Sequence, residues 1–443
     1  MVRSIRNRQE RPNRWHRRPR PRLAVAALLC LPVALGLISC HVQQGPSPQS
    51  PSTKAPSAAA DRDGPLVRVR IRSVPQLNLS AAGGLVVRPA GASEPRKTIP
   101  APASVRRHGG GFEFRAPDGT RTQWRLASLS VEAAVGQSVM VDGQPYAGQL
   151  WLHAVDHDGR RSIDAVNHLR VEQYLPGVLA EELYGHWQPA TFRAQAIAAR
   201  SYVVAHLKPE RRHFDVESTT ASQVYGGQTT NPKATDAVRV TAGMVLTYGG
   251  TVVPAYYSSC CGGTGQDAAV AFASGTDMAP LRGRHRGAWC AASRFYRWGP
   301  IRRPKAGLAR RFAAWGRAHR HPIGSLSGLG RITIATQNQA GRAARFTIVD
   351  QRRQTFALGA ESFRNAANHE AHGVPELAKD QRLPSSHVRV VVGPAHVVFA
   401  NGQGHGHGVG MCQHGSEALA RANYGAGSIL DFYYKGARVE RIY

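Results

Sequence analysis

Acidic residues are scarce in this sequence: 28 Asp and Glu stand against 57 Lys and Arg in 443 residues, a formal net charge of +29. From Met278 to Val349 there is no Asp or Glu at all. Such a field suits polyanionic surroundings, whether nucleic acid, a membrane or an acidic cell-wall polymer, and the charge alone does not choose among them. Cysteine is also sparse, at six, and none falls between positions 41 and 259. No repeat of solenoid period is present. Long apolar runs are lacking too: the single candidate, residues 23–39 (LAVAALLCLPVALGLIS), falls short of the roughly 20 residues of a comfortable membrane span.

That run has a different use. Nine arginines and one glutamate precede it in residues 1–22, and it stops at Leu37-Ile38-Ser39-Cys40, which has the layout of an export signal ending in a bacterial lipobox. Residues 1–40 are therefore expected to be a signal peptide with Cys40 as the lipidated residue, followed by a Pro/Ser-rich tether over 41–64. Export to a bacterial envelope as a membrane-anchored lipoprotein disfavours nucleic acid as a partner despite the charge. It also changes the reading of the cysteines. Once Cys30 is removed and Cys40 acylated, Cys260, Cys261, Cys290 and Cys412 remain, and four cysteines in an oxidising compartment suggest two disulfides. Adjacent cysteines rarely bond to each other, so Cys260 and Cys261 are each expected to pair with Cys290 or Cys412. A zinc site from the same thiolates plus a histidine is the competing reading. The expectation carried forward is no metal and no cofactor.

The fold class is α+β. In PLVRVRIRSV, Val67, Val69 and Ile71 alternate with Arg68, Arg70 and Arg72, the period of a half-buried strand. Asp-Gly pairs at 118–119, 142–143 and 158–159 are hairpin turn signals. A β-rich N-terminal region over 65–140 is expected, followed by a mixed α+β domain over 141–443. After Val171 the period changes: Pro176 can open a helix, and Pro189 to Leu207 has the three-to-four spacing of an amphipathic helix with small residues on its contact face. Residues 282–320 hold twelve Arg or Lys interleaved with Trp289, Trp298 and Trp315. They read either as a polyanion-binding face or as a basic solvated insertion, placed at about 282–330.

Three stretches can carry chemistry. In PGVLAEEL, Glu181 and Glu182 are consecutive and point about 100° apart on a helix, so they cannot face each other as a pair. The more buried of them would have a raised pKa and could serve as a general acid. In NGQGHGHGVGMCQHGSEALA, glycine occupies every second position from Gly402 to Gly410; an extended chain would present one face of side chains and one of bare backbone, fit to lie against a sugar ring or another strand. Its spacing does not fit GxGxxG, because Val409 and Gln413 fall where glycines are required. His405 and His407 alone are a weak metal signal. The third stretch is YYSSCCGGTGQDA with Cys290 downstream.

Taken in order, YAGQLWL, VEQYLPGVLAEEL, ATFRAQAIAARSYVVAHL, SQVYGG, SSCCGGTG, GHGVGMCQHGSEALA and ILDFYYKG resemble the SpoIID/LytB family, stage II sporulation protein D and the amidase enhancer LytB, over about residues 140–443. The resemblance implies a SpoIID-like α+β domain that works on peptidoglycan. In the sporulation branch it implies lytic transglycosylase activity on the MurNAc–GlcNAc bond, with Glu182 at the catalytic position. Gln195, Arg200, Ser201, Tyr202, Gln223, Tyr225, His407 and Gln413 fall in matching motifs and are expected to shape or line the cleft, with Arg200 equally able to serve as a structural clamp. The alternative is a non-catalytic enhancer that binds peptidoglycan and activates an N-acetylmuramoyl-L-alanine amidase. Some members of the family hold a zinc with His and two Cys just before the Gln-Val-Tyr segment. Here Ser222 precedes Gln223 and no cysteine is nearby, so that site is absent.

Overall fold

The computed structural model describes residues 63–443 except 91–94, 137, 158, 208–209, 211–212, 273–275 and 286. The expected signal peptide, Cys40 and nearly all of the tether lie outside these residues. The Asp-Gly pairs at 118–119 and 142–143 each sit at the turn of an antiparallel hairpin, Gly111–Arg115 with Arg121–Trp124 and Ser138–Val141 with Gln144–Ala147, and a third hairpin pairs Gln149–His157 with Arg160–Arg170. At the second, Asp142 and Gly143 both take positive φ, 50° and 85°, the conformation that selects this dipeptide.

These hairpins belong to two sheets. One has seven strands in the order Val216–Glu217, Leu66–Val74, Arg160–Arg170, Gln149–His157, Ser128–Ala133, Leu85–Pro89 and Lys97–Ile99. The other has six, from Gln144–Ala147 to Arg121–Trp124. Strands from both sides of position 140 pair directly, Leu66–Val74 with Arg160–Arg170, and side chains of both sheets fill one core. The alternation in Leu66–Val74 is as expected: Val67, Val69 and Ile71 are buried. Its arginines are not left to solvent, because Arg68 pairs with Asp215 and Arg70 with Asp164 and Glu217.

Helix α1 spans Val171–Glu182, α2 spans Pro189–His206 and α3 spans Pro232–Val240. Helix α1 starts five residues before the proline expected to open it. The Gln173 side chain caps the Arg170 amide at 3.3 Å, and Pro176 is carried inside the helix. Helix α2 is buried on two sides. Phe192, Ala196, Ala199 and Val203 face the β core, whereas Ala194, Ile197 and Ala198 face a second core built from Leu246, Val253, Met411, Leu419, Ile429 and Tyr434. Its run of alanines lets both cores approach the backbone closely.

A third core, from Ile301 to Phe399, is a separate module. Its chain leaves and returns through one short strand pair, Arg297–Trp298 against Gly402–Gln403. The inserted body is thus longer than the basic run that marks it in the sequence. Residues 282–285 and 287–296 stay with the main body, where Cys290 joins the second core, while the segment from Ile301 onward needs the strands and helix up to Phe399 to bury its apolar side. Of the three tryptophans in the basic run, Trp315 is buried in this module and Trp289 is exposed.

Candidate active site

Glu182 is the last residue of α1, and the segment 222–227 closes over that end of the helix. Gly177 allows the approach: a Cβ there would collide with the Gly227 carbonyl and the Tyr225 ring. With this segment in place, the Val224 N–H donates to Glu182 Oε1 at 3.1 Å. The Gln413 Nε2 donates to Glu182 Oε2 at 2.9 Å. Burial pushes the Glu182 carboxyl above the ordinary glutamate range, and it outweighs the Gln413 and Val224 hydrogen bonds and the Tyr257 hydroxyl, which favour the charged form. Glu181 is exposed, with its carboxylate against Gly226 of the same segment. The two glutamates therefore have different surroundings, and the Glu181 charge adds a small further push to the Glu182 carboxyl.

Tyr257 is the residue that the sequence reading passed over. Its buried hydroxyl makes no hydrogen bond of ordinary geometry yet lies near enough to Glu182 to favour that carboxylate, and burial followed by the Glu182 charge raises the phenol well above its usual value. Its strand, Tyr257–Ser258, runs parallel to Met411–Cys412, which brings Gln413 to Glu182. The sequence signal for it is the YYSS run directly before the cysteine pair.

The expected cleft residues divide in two. Gln223 accepts from the Tyr174 hydroxyl at 3.2 Å and donates to the Ala199 carbonyl at 3.2 Å, joining α1 to α2 just behind Glu182. Tyr225 donates to Asn167 at 3.0 Å. Tyr202 stacks on His206 with ring centroids 4.1 Å apart. Gln195 is fully buried in α2, and neither of its amide atoms has a partner. Arg200 is a clamp: it grips Glu172 through two bonds of 2.7 and 2.8 Å and reaches the Met244 and Val238 carbonyls at 3.1 and 3.3 Å, with no exposure. Ser201 is likewise structural, donating to the Ile197 carbonyl at 2.6 Å and accepting from the Leu246 N–H at 2.8 Å. Neither touches Glu182. Glu417, in the GSEALA stretch, accepts from the Gln188 N–H and the Thr191 hydroxyl at 2.9 and 2.8 Å, a carboxylate on the positive end of α2.

The glycine-rich loop is not an extended strand. Gly404, Gly406, Gly408 and Gly410 have φ of 77°, 95°, 74° and 66°, and a left-handed residue at every second position coils the chain, so its side chains do not share one face. The bare backbone does lie against another segment. His405 and Cys260 form an antiparallel bridge, Gln266 and Val409 a parallel one, and a Cβ at Gly410 would collide with the Tyr256 carbonyl. His407 Nδ1 accepts from the Val409 N–H at 3.0 Å, and burial lowers its pKa to about 4. It is neutral at physiological pH, so a protonated imidazolium is not the acid here.

An open groove of about 460 Å³ adjoins this place, lined by Tyr184, Trp187, Trp289, Arg294, His414 and Arg421 among others. Tyr184 is two residues beyond Glu182 and His414 is next to Gln413. Exposed Tyr184 and Trp289 with two guanidinium groups make a surface of rings and cations, suited to stacking on sugars and to carboxylate-bearing glycan.

The four expected disulfide partners are all buried as free thiols. Cys261 and Cys290 have their sulfurs 3.7 Å apart, beyond a bond of about 2.05 Å.

Residues 159–248 match the stage II sporulation protein family, SpoIID; this interval contains Glu182, α2 and the Gln223–Tyr225 segment. Over 282 residues the chain is 27% identical to an uncharacterized protein of Brachyspira hyodysenteriae, covering 62% of this chain and 67% of that one. It is 26% identical over 289 residues to the amidase enhancer of Bacillus subtilis, covering 59% of this chain but only 39% of the enhancer. It is 23% identical over 298 residues to stage II sporulation protein D of the same species, covering 63% of this chain and 77% of the relative. The resemblance to the SpoIID/LytB family seen in the sequence motifs therefore holds.

Proposed function

We propose, from the SpoIID-family segment as premise, that this chain is an exported cell-wall protein that binds peptidoglycan glycan strands and cleaves the MurNAc–GlcNAc bond as a lytic transglycosylase. The observation that supports it best is the Glu182 carboxyl group: burial holds it towards the protonated state, two residues before Tyr184, which lines a groove with exposed rings and guanidinium groups. Protonated Glu182 gives its proton to the glycosidic oxygen as the C1–O bond breaks. The C6 hydroxyl of the same MurNAc then bonds to C1, and its proton passes to the Glu182 carboxylate, leaving a 1,6-anhydro sugar and the starting acid. Because the nucleophile belongs to the substrate, no second carboxylate is needed to place a water, which fits the solvent exposure of Glu181.

Two observations favour a second reading. Both Glu182 oxygens already accept hydrogen bonds from the protein, as a purely structural carboxylate would, and the chain shares 26% identity with a protein named amidase enhancer. In this reading the protein binds glycan without cutting it and activates an N-acetylmuramoyl-L-alanine amidase. The readings separate when full-length protein and its Glu182→Gln variant are incubated with intact and with peptide-stripped peptidoglycan. Anhydro-muropeptides released by the wild type and not by the variant support cleavage. No release by either protein, with faster digestion once an amidase is added, overturns it in favour of the enhancer.

A further inference from the structure

The four cysteines arrive from three separate places. Cys260 and Cys261 follow the strand Tyr257–Ser258, Cys290 lies in the basic segment, and Cys412 precedes the helix Gln413–Arg421. All are at most 3% exposed. The sulfurs of Cys260, Cys290 and Cys412 lie within 4.8 Å of one another, and the Cys261 sulfur is 3.7 Å from that of Cys290. The four sulfurs thus gather in one buried cluster, with each of the other three close to Cys290.

We propose that Cys260, Cys290 and Cys412, with Cys261 as fourth ligand, hold a structural zinc ion as thiolates. Four sulfurs placed tetrahedrally at about 2.3 Å from zinc are separated by about 3.8 Å, and the Cys261–Cys290 separation of 3.7 Å matches that edge. The outer surroundings suit bound thiolate. The Cys261 and Gly415 N–H groups both donate to Cys412 Sγ at 3.3 Å, as the hydrogen bonds around metal-bound sulfur commonly do. Closed, four-sulfur coordination leaves no open position, so the ion is structural. Its effect on the site is mechanical: Cys412 precedes Gln413, so a metal tying Cys412 to Cys260 and Cys290 fixes the base of the side chain that bonds Glu182. This departs from the sequence expectation of two disulfides and no metal, and it does not depend on whether the protein cleaves glycan.

The test uses the full-length chain, exported, extracted in detergent and purified without reductant or added metal. Metal analysis is expected to find one zinc per chain. Alkylation in denaturant with a chelator, without reduction, is expected to label all four of these cysteines by peptide mass. The Cys290→Ser variant is expected to lose the zinc, while Glu182→Gln keeps it. Unlabelled cysteines with disulfide-linked peptide masses and no metal overturn the proposal, as do four labelled thiols that take up no zinc when it is supplied. The wild-type measurements decide the question even if Cys290→Ser fails to fold.

Discussion

Glu182 and Arg200 both sit in motif positions, and their surroundings give them opposite work. For Glu182→Gln, glycan cleavage is expected to fall by about 10²- to 10⁴-fold, the usual contribution of a general acid, measured as anhydro-muropeptide release. The same variant has a stability signature. Because the native carboxyl keeps its proton to higher pH than the unfolded one, raising the pH above the ordinary glutamate range removes that proton at the expense of the native state. Wild type should therefore lose melting temperature relative to Glu182→Gln as pH rises through that interval, and a constant difference between the two would refute the burial argument. Arg200→Met leaves Glu172 without its two guanidinium bonds. It should cost about 3–5 kcal/mol of stability, with partial recovery in the Arg200→Met, Glu172→Met double variant by denaturant melting. At this scale the motif alignment identified Glu182, but only packing distinguishes a cleft residue from a clamp: the acids that hold Arg68, Arg70 and Arg200 come from 28 or more residues away along the chain.

Helix α2 and the glycine-rich loop show what a pattern conveys about an element. Spacing placed α2 to within a residue at its C-terminal end, because three-to-four periodicity is a property of the helix itself. The loop departs from the extended form because alternation by itself does not distinguish a pleated strand from a chain that turns left at each glycine; only the contacts with residues 256–266 decide. A consequence can be checked at Gly408, where φ is 74° and a Cβ would strike the Arg342 guanidinium. Arg342 cannot readily yield, being fully buried and bonded to the Cys261 and Gly406 carbonyls at 3.1 and 3.3 Å. Gly408→Ala should thus cost about 1–2 kcal/mol in backbone strain alone plus the displaced guanidinium, seen as a lower melting temperature together with reduced glycan binding. Gly119, whose added Cβ would meet open space, provides the control at the same kind of φ.

Across the whole molecule the three cores are unequal in how visible they are from sequence. The β core was foreshadowed by alternation and Asp-Gly turns. The boundary expected near 140 has no counterpart in the sheet, since antiparallel pairing joins strands far apart in sequence and no local signal records it. The inserted module was noticed by its charge, which says where cations are and not where a chain departs from a body. Replacing residues 299–401 by a short glycine linker is expected to leave the other two cores folded, because none of their side chains comes from that interval. It should loosen the glycine-rich loop, since Arg342 goes with the module. Hydrogen exchange is expected to rise at residues 404–410 and stay unchanged in Arg160–Arg170; global unfolding of the shortened protein would refute this division.

The pairing of Arg297–Trp298 with Gly402–Gln403 gives the module a common doorway for the outgoing and incoming chain. Two ends already side by side accept a different guest between them with little distortion of the host. A guest of another size at this doorway would leave the glutamate and its neighbours in their places.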